Sequence, residues 1–392
     1  MLRNGALIHG RVLRRVICDD EKAGFLMPLH AHGKRAARSV LLVAALTFPV
    51  FAGIAAPAQA APNDHPTIEV SGDTTSAVPA LSPDVLRSTR SMPSSAEQLD
   101  ETGGDPRVLD YWTPERIAGA VPVETPELAA TEVSPRTLAA EEPETSISEA
   151  ALPTESSAGV RAAPPVTNFS KTNGKVFFRD ASDGKTYMCS GAALNSGSLR
   201  LVATAGHCVH GGPGKTWHQN WVFIPGYHKG SRPYGTFTAS RLRTFSDWIN
   251  HGQTGLGFNS DVAFVTTYTS TSGSKLVNAV GGHRLTYGGN YDFDASNFGY
   301  PGNLDSGEVM WACWGTTGSR LNSLYRFHSM SGCNFGGGAS GGPWLANYSN
   351  ATDLGSIRTI NSFGPASNTS YIAGPYLDSR IVGLYNDANN DW

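Results

Sequence analysis

Two short stretches carry residue types suited to acyl-transfer chemistry. L-V-A-T-A-G-H-C-V (201–209) ends an apolar run in a small-residue turn that presents His207, and F-G-G-G-A-S-G-G-P-W (335–344) sets Ser340 among five glycines. A serine hydroxyl is a poor nucleophile at neutral pH and needs a base within hydrogen-bond reach, itself oriented by a third group. Histidine suits the base because its ordinary pKa of about 6.5 lies near working pH. The orienting group should be a carboxylate shielded from water. Asp261 stands at the head of D-V-A-F-V, where the polar stretch G-F-N-S (257–260) gives way to an apolar run, although the same residue would also serve as a plain turn terminator. The glycine-rich stretch has two further readings, a phosphate loop and a linker. No G-K-[ST] follows, as a phosphate loop requires, and the apolar P-W-L that comes next argues against a flexible spacer.

Elements able to position these residues are short. From about Asn168 onward, strand-like runs such as KVFFRD (175–180), TYMCSGAAL (186–194), WVFIPGY (221–227), DVAFVTTY (261–268), VMWACWG (309–315) and IRTINSFG (357–364) alternate with Gly, Asn, Ser and Pro. Many short strands at frequent turn signals indicate an all-β sandwich or barrel. Only DSRIVGLYND (378–387) reads as a helix, capped by Asp378 or Ser379. No tandem repeat and no nucleic-acid signature is visible.

Upstream, Lys34, Arg35 and Arg38 precede an apolar run from Val40 to Ala56 and the small-residue pattern Ala58-Gln59-Ala60. This reads as a secretory leader over residues 1–60 cut before Ala61, with Met27 as an alternative start. The run is shorter than the 18 or so residues of a spanning helix and contains Pro49. Residues 61–164 hold eighteen acidic residues against six arginines and no lysine, a net of −12, whereas the remainder after them is net +4. This charge asymmetry suggests a largely disordered acidic propeptide attracted to the domain that follows; a solvated linker is the alternative. Within it, Y-W-T-P-E-R-I-A-G-A-V (111–121) has Thr113 as N-cap and Pro114 at the first helical position, a candidate docking helix.

Loss of the leader removes Cys18 and leaves Cys189, Cys208, Cys313 and Cys333. Four cysteines in an exported chain suggest two disulfides with three connectivities open. A zinc site is the alternative, but no pair shows close C-x₂₋₄-C spacing. Cys208 can tie the His207 turn to Cys189, a closure worth about 3 kcal/mol in chain-entropy terms.

T-A-G-H-C with an upstream C-S-G, followed by D-V-A and then G-A-S-G-G-P, resembles the catalytic segments of the chymotrypsin-like (trypsin-type) serine peptidases, in the same chain order. The likeness runs over most of residues 168–392 and extends to secreted bacterial trypsin-like and glutamyl-endopeptidase-like enzymes. It implies two six-stranded antiparallel β-barrels with the site between them, a serine peptidase domain over 165–392, and His207, Asp261 and Ser340 as catalytic residues. It further implies the amides of Gly338 and Ser340 as oxyanion donors, a Cys313–Cys333 disulfide bracing the nucleophile loop, and Ser362-Phe363-Gly364 as a substrate-aligning strand with Asn361 and Phe363 as pocket walls.

Two positions depart from the trypsin pattern. Ala339 stands where an activation aspartate precedes the nucleophile, so removal of the acidic segment near Arg161 to Val166 is expected in place of terminal insertion. Asn334 stands where trypsins carry the aspartate of a basic-residue pocket. The expected function is a secreted, monomeric serine endopeptidase with no cofactor and no metal. Its expected partners are a protein or peptide substrate and its own propeptide, without nucleic acid or membrane after leader removal. An esterase using the same triad and a non-catalytic peptidase-fold binding protein are the alternatives.

Overall fold

The computed structural model describes residues 72–91, 95–124, 134–136, 142–155, 169–322, 325–365 and 369–391. The expected leader, the start at Met27 and the expected cut near Arg161 to Val166 lie outside these residues. All described residues belong to one unit, Asp64–Trp392.

Four short strands lie in the acidic region: β1 (Thr74–Ala77), β2 (Val121–Pro122), β3 (Ser134–Arg136) and β4 (Thr145–Ser148). Six more form a barrel: β5 (Asn173–Arg179), β6 (Thr186–Leu194), β7 (Leu201–Thr204), β8 (Gln219–Pro225), β9 (Phe237–Phe245) and β10 (Ala263–Thr267). They pair antiparallel in the order β9-β10-β7-β6-β5-β8, and a further β8–β9 ladder closes the ring. Closure removes the exposed edges that an open sheet would present. Val176, Phe177, Val202, Phe223, Leu242 and Val265 are all buried in its core.

The second half holds β11 (Arg284–Tyr287), β12 (Asp294–Gly299), β13 (Trp311–Thr316), β14 (Gly318–Asn322), β15 (Tyr325–Ser331), β16 (Pro343–Ser349), β17 (Leu354–Ile360) and β18 (Tyr371–Pro375). Its strands form two ladders, β13-β12-β16-β17-β11-β4 and β18-β15-β14-β3. The bridge Phe363↔Ala373 joins them just after β17. One pair in this half, β11 with β17, is parallel, a detail the resemblance does not suggest.

Three helices of five or six residues, Ser246–His251, Gly255–Asn259 and Leu276–Val280, escape sequence reading because a helix of so few turns shows no apolar period. The C-terminal helix forms as expected over Ile381–Asn389, but Arg380 occupies its N-cap position without a side-chain cap. Asp378 instead accepts from the Arg380 backbone and guanidinium.

The described parts of the acidic segment include four short helices and four short strands. Composition points to disorder because the segment has too few apolar residues for a core of its own. It uses the neighbouring core instead. Trp112 is 2% exposed, packs on Phe177 with ring centroids 5.6 Å apart, and donates Nε1–H to the Asn220 carbonyl at 2.7 Å. The helix Pro114–Ala118 follows, with Thr113 accepting from Arg116 N as its N-cap. β1 pairs with β9, β2 with β6, β3 with β14 and β4 with β11. Charge complementarity takes specific form: Asp100 receives both Arg200 nitrogens at 2.6 and 2.7 Å, and Glu144 receives Arg358 at 2.6 Å.

Candidate active site

His207 sits in a single 3-10 turn, Gly206–Cys208, at the end of β7. Backbone contacts to surrounding side chains fix this turn. Trp221 Nε1 donates to the Cys208 carbonyl at 3.0 Å, Trp248 Nε1 to the His210 carbonyl at 2.8 Å, and His218 Nε2 to the His207 carbonyl at 3.1 Å. Burial holds the His218 pKa down at about 4, so the ring is neutral and its single hydrogen lies on Nε2 for that bond. The Cys189–Cys208 disulfide ties the turn to β6, with Cα atoms 6.3 Å apart. Cys313 and Cys333 form the second disulfide, 5.7 Å between Cα atoms, in the segment leading to Ser340.

Asp261 is fully buried between the helix Gly255–Asn259 and β10. Its Oδ1 accepts from the His207 amide at 2.8 Å, while Oδ2 accepts from His207 Nδ1 at 2.8 Å and from Ser362 Oγ at 2.5 Å. A carboxylate only accepts, so Nδ1 carries the imidazole hydrogen and Nε2 is left with its lone pair. His207 Nε2 and Ser340 Oγ are both buried, and among the described residues neither has a hydrogen-bond partner. Buried polar atoms are normally satisfied, so an unpartnered pair marks a place where chemistry rather than stability sets the arrangement.

The nucleophile turn spans both halves. Ser190 N, in the barrel, donates to the Ser340 carbonyl at 2.7 Å; on the other side Gly341 N donates to Asn361 O at 2.7 Å. Gly338 has φ +89°, and a Cβ there would lie 2.7 Å from the Tyr300 carbonyl, so only glycine fits. The Gly338 amide donates to the Val123 carbonyl at 2.8 Å. A cleft of about 430 Å³ on the His207 side is lined by His207, Trp248, Tyr187 and the segment Val121–Glu124.

The expected substrate-aligning residues divide. Ser362 turns its hydroxyl onto Asp261. The Phe363 side chain is no pocket wall: it is fully buried, packed against Phe258 and Phe327 at 4.8 and 4.4 Å between ring centroids. Gly364 follows it, also buried. Asn361 is not a wall either. It is fully buried, donates to Ala339 O at 3.0 Å and accepts from Trp344 Nε1 at 2.6 Å, bracing the turn from behind. Asn334 is exposed, its side chain bonded to Thr369.

Sequence reading missed Ser190. Its hydroxyl accepts from Tyr300 N at 2.9 Å and donates to Gly338 O at 2.9 Å, which fixes the plane of the Gly338–Ala339 peptide. The only signal was its place in C-S-G beside Cys189.

No family model and no curated protein matches the chain. Among solved structures, the protease Anisep from Arthrobacter nicotinovorans is 32% identical, covering 57% of this chain and 98% of its own, with a TM-score of 0.51. A thermostable serine protease, AL20, from an extremophilic microorganism is 30% identical over 57% of this chain and 99% of its own, also at 0.51. Nearly the whole length of each relative is thus matched at a level of identity that carries family membership beyond the strand arrangement alone. The chain belongs to the chymotrypsin-like serine peptidases.

Proposed function

We propose that the protein is a secreted serine endopeptidase, made as a proenzyme, that hydrolyses peptide bonds through an acyl-enzyme. The observation that carries this reading is the chain of contacts ending in two buried atoms: Asp261 holds His207 Nδ1–H, and His207 Nε2 and Ser340 Oγ have no partner among the described residues. Ser340 Oγ attacks the scissile carbonyl carbon while His207 Nε2 takes its proton. The C–N bond then breaks as the imidazolium returns that proton to the leaving amine. Water repeats the sequence on the ester and frees Ser340. Asp261 stabilises the imidazolium and keeps the ring from rotating. The amides of Gly338 and Ser340 are the oxyanion donors, and loss of one such donor typically costs about 2.7 to 4 kcal/mol of transition-state stabilisation.

Several features support the proenzyme reading: the leader-like sequence, the acidic region's packing against the barrel, and the Ala339 that replaces an activation aspartate. No metal or cofactor enters the proposed steps. Asn334 in place of an acidic residue argues against strong preference for Arg or Lys before the scissile bond. Labelling of the processed protein with a fluorophosphonate, followed by assays on casein and on a short-chain ester, tests the reading with S340A as control. Labelling at Ser340 with casein turnover is expected. Absence of labelling ends the enzyme reading, and ester turnover without proteolysis replaces it with an esterase.

A further inference from the structure

We propose that the groove between Met188 and Gly338 is a binding site for an extended segment of this same chain, Val121–Glu124, and that this segment holds the reaction site shut. The inference rests on the role assigned above to Ser340 and Gly338. Val123 bridges both halves through its backbone. Its N–H donates to Met188 O at 3.0 Å, and its carbonyl accepts from Gly338 N at 2.8 Å. Preceding it, β2 lies parallel to β6 with Val121 opposite Tyr187 and Pro122 opposite Met188.

The groove is shaped to take backbone. A Cβ on Gly302 would lie 2.4 Å from Pro122 Cγ, one on Gly337 would lie 2.6 Å from Val123 O, and one on Gly338 would lie 3.3 Å from Pro122 Cβ. Three residues without side chains thus floor the strip on which the segment runs, as in other cases where an extended peptide adds to a sheet edge. The docked stretch also lines the cleft that holds His207 and Trp248.

An N–H already bonded to a carbonyl does not stabilise a developing oxyanion. Removal of one such donor lowers kcat by about 10²- to 10³-fold in serine peptidases. Nine residues before Val121 the buried Trp112 anchors the same segment, which keeps its local concentration near the groove high. A cut C-terminal to Glu124 therefore leaves the plug bound without a covalent link, and activity appears only on its dissociation.

The test compares fluorophosphonate labelling rates at Ser340 in the uncut full chain, in the processed enzyme, and in uncut V123P, which loses the N–H bonded to Met188. Labelling of the uncut wild type about 100-fold slower than the processed form is expected, with V123P restored to within about tenfold of it while still full length. Equal rates for uncut and processed wild type, or a V123P chain as slow as uncut wild type, overturn the proposal. Failure of every form to label, processed enzyme included, strikes instead at the role given to Ser340. Should V123P not fold, the processed enzyme is labelled with the peptide Ala-Val-Pro-Val-Glu present at about 1 mM, a concentration like that a tether supplies. Slowed labelling supports the plug, and an unchanged rate overturns it.

Discussion

Ser362 Oγ and His207 Nδ1 share one oxygen of Asp261, at 2.5 and 2.8 Å, while the other oxygen takes the His207 amide. The carboxylate is thereby clamped by three donors, two from His207 itself and one from the irregular segment just after β17. The position expected to align substrate thus orients the acid of the proposed triad.

Substituting Ser362 by alanine is expected to remove one charge-assisted hydrogen bond, worth about 1.5 kcal/mol, and so to lower kcat by about tenfold. KM should move little. D261N, which reverses the donor and acceptor roles facing His207, should lower kcat by about 10⁴-fold. Steady-state kinetics on a peptide substrate check both, and a Ser362 effect confined to KM would return that residue to a substrate-binding role.

Ser190 is expected to act on the nucleophile turn without touching substrate. Loss of its hydroxyl in S190A removes the bond to Gly338 O and leaves Tyr300 N without that acceptor. A net loss of about 1 kcal/mol should appear as a roughly fivefold fall in kcat with KM unchanged. Equal loss in kcat for S190A and for S190T, which retains the hydroxyl, would contradict the positioning role.

Much of the site was legible and some of it was not, for a physical reason visible at particular residues. His207, Asp261 and Ser340 announce themselves because each sits on a sharp local turn whose small residues or strand onset are written in consecutive letters. Ser190 and Asn361 do not, since their roles come from barrel-to-barrel contacts between segments far apart in sequence. Strand Thr186–Leu194 matches its expected bounds because the apolar run itself ends there. The acidic segment is the largest departure: composition reports what a stretch can bury alone, and Trp112 is buried by Phe177 and Asn220 of another segment.

Trp112 gives a direct measure of that borrowed burial. W112A should destabilise the uncut chain by about 3 to 5 kcal/mol, the range for large-to-small changes at buried aromatic sites. Processed enzyme, once freed of the acidic segment, should have the same stability from either parent. Denaturant titrations of the cut and uncut forms make the comparison.

Acid should unfold the protein through its buried imidazoles. Burial lowers the pKa of His210 and His218 to about 4, and that of His283 and His328 to about 3. Each binds a proton more readily unfolded, at about 6.5, than folded. The unfolded chain therefore holds more protons through this window, and stability rises with pH. The contribution is complete above pH 6.5 and falls away toward pH 3 to 4, by at most about 1.4 kcal/mol per pH unit for each ring. Urea midpoints measured from pH 7 down to 4 should fall steadily; a flat profile would mean these rings are open to water.

The strands lent by the acidic region also bear on the order of events during synthesis. β1 leaves the ribosome long before β9, its partner, and β4 long before β11. Pairings of such wide sequence separation are slow to find, because chain entropy is lost before any contact compensates it. An early-made segment that offers an edge to each ladder in turn gives late strands a template to settle against. If processing removes the segment as proposed, a chain unfolded afterwards would have to repeat the search without its guide.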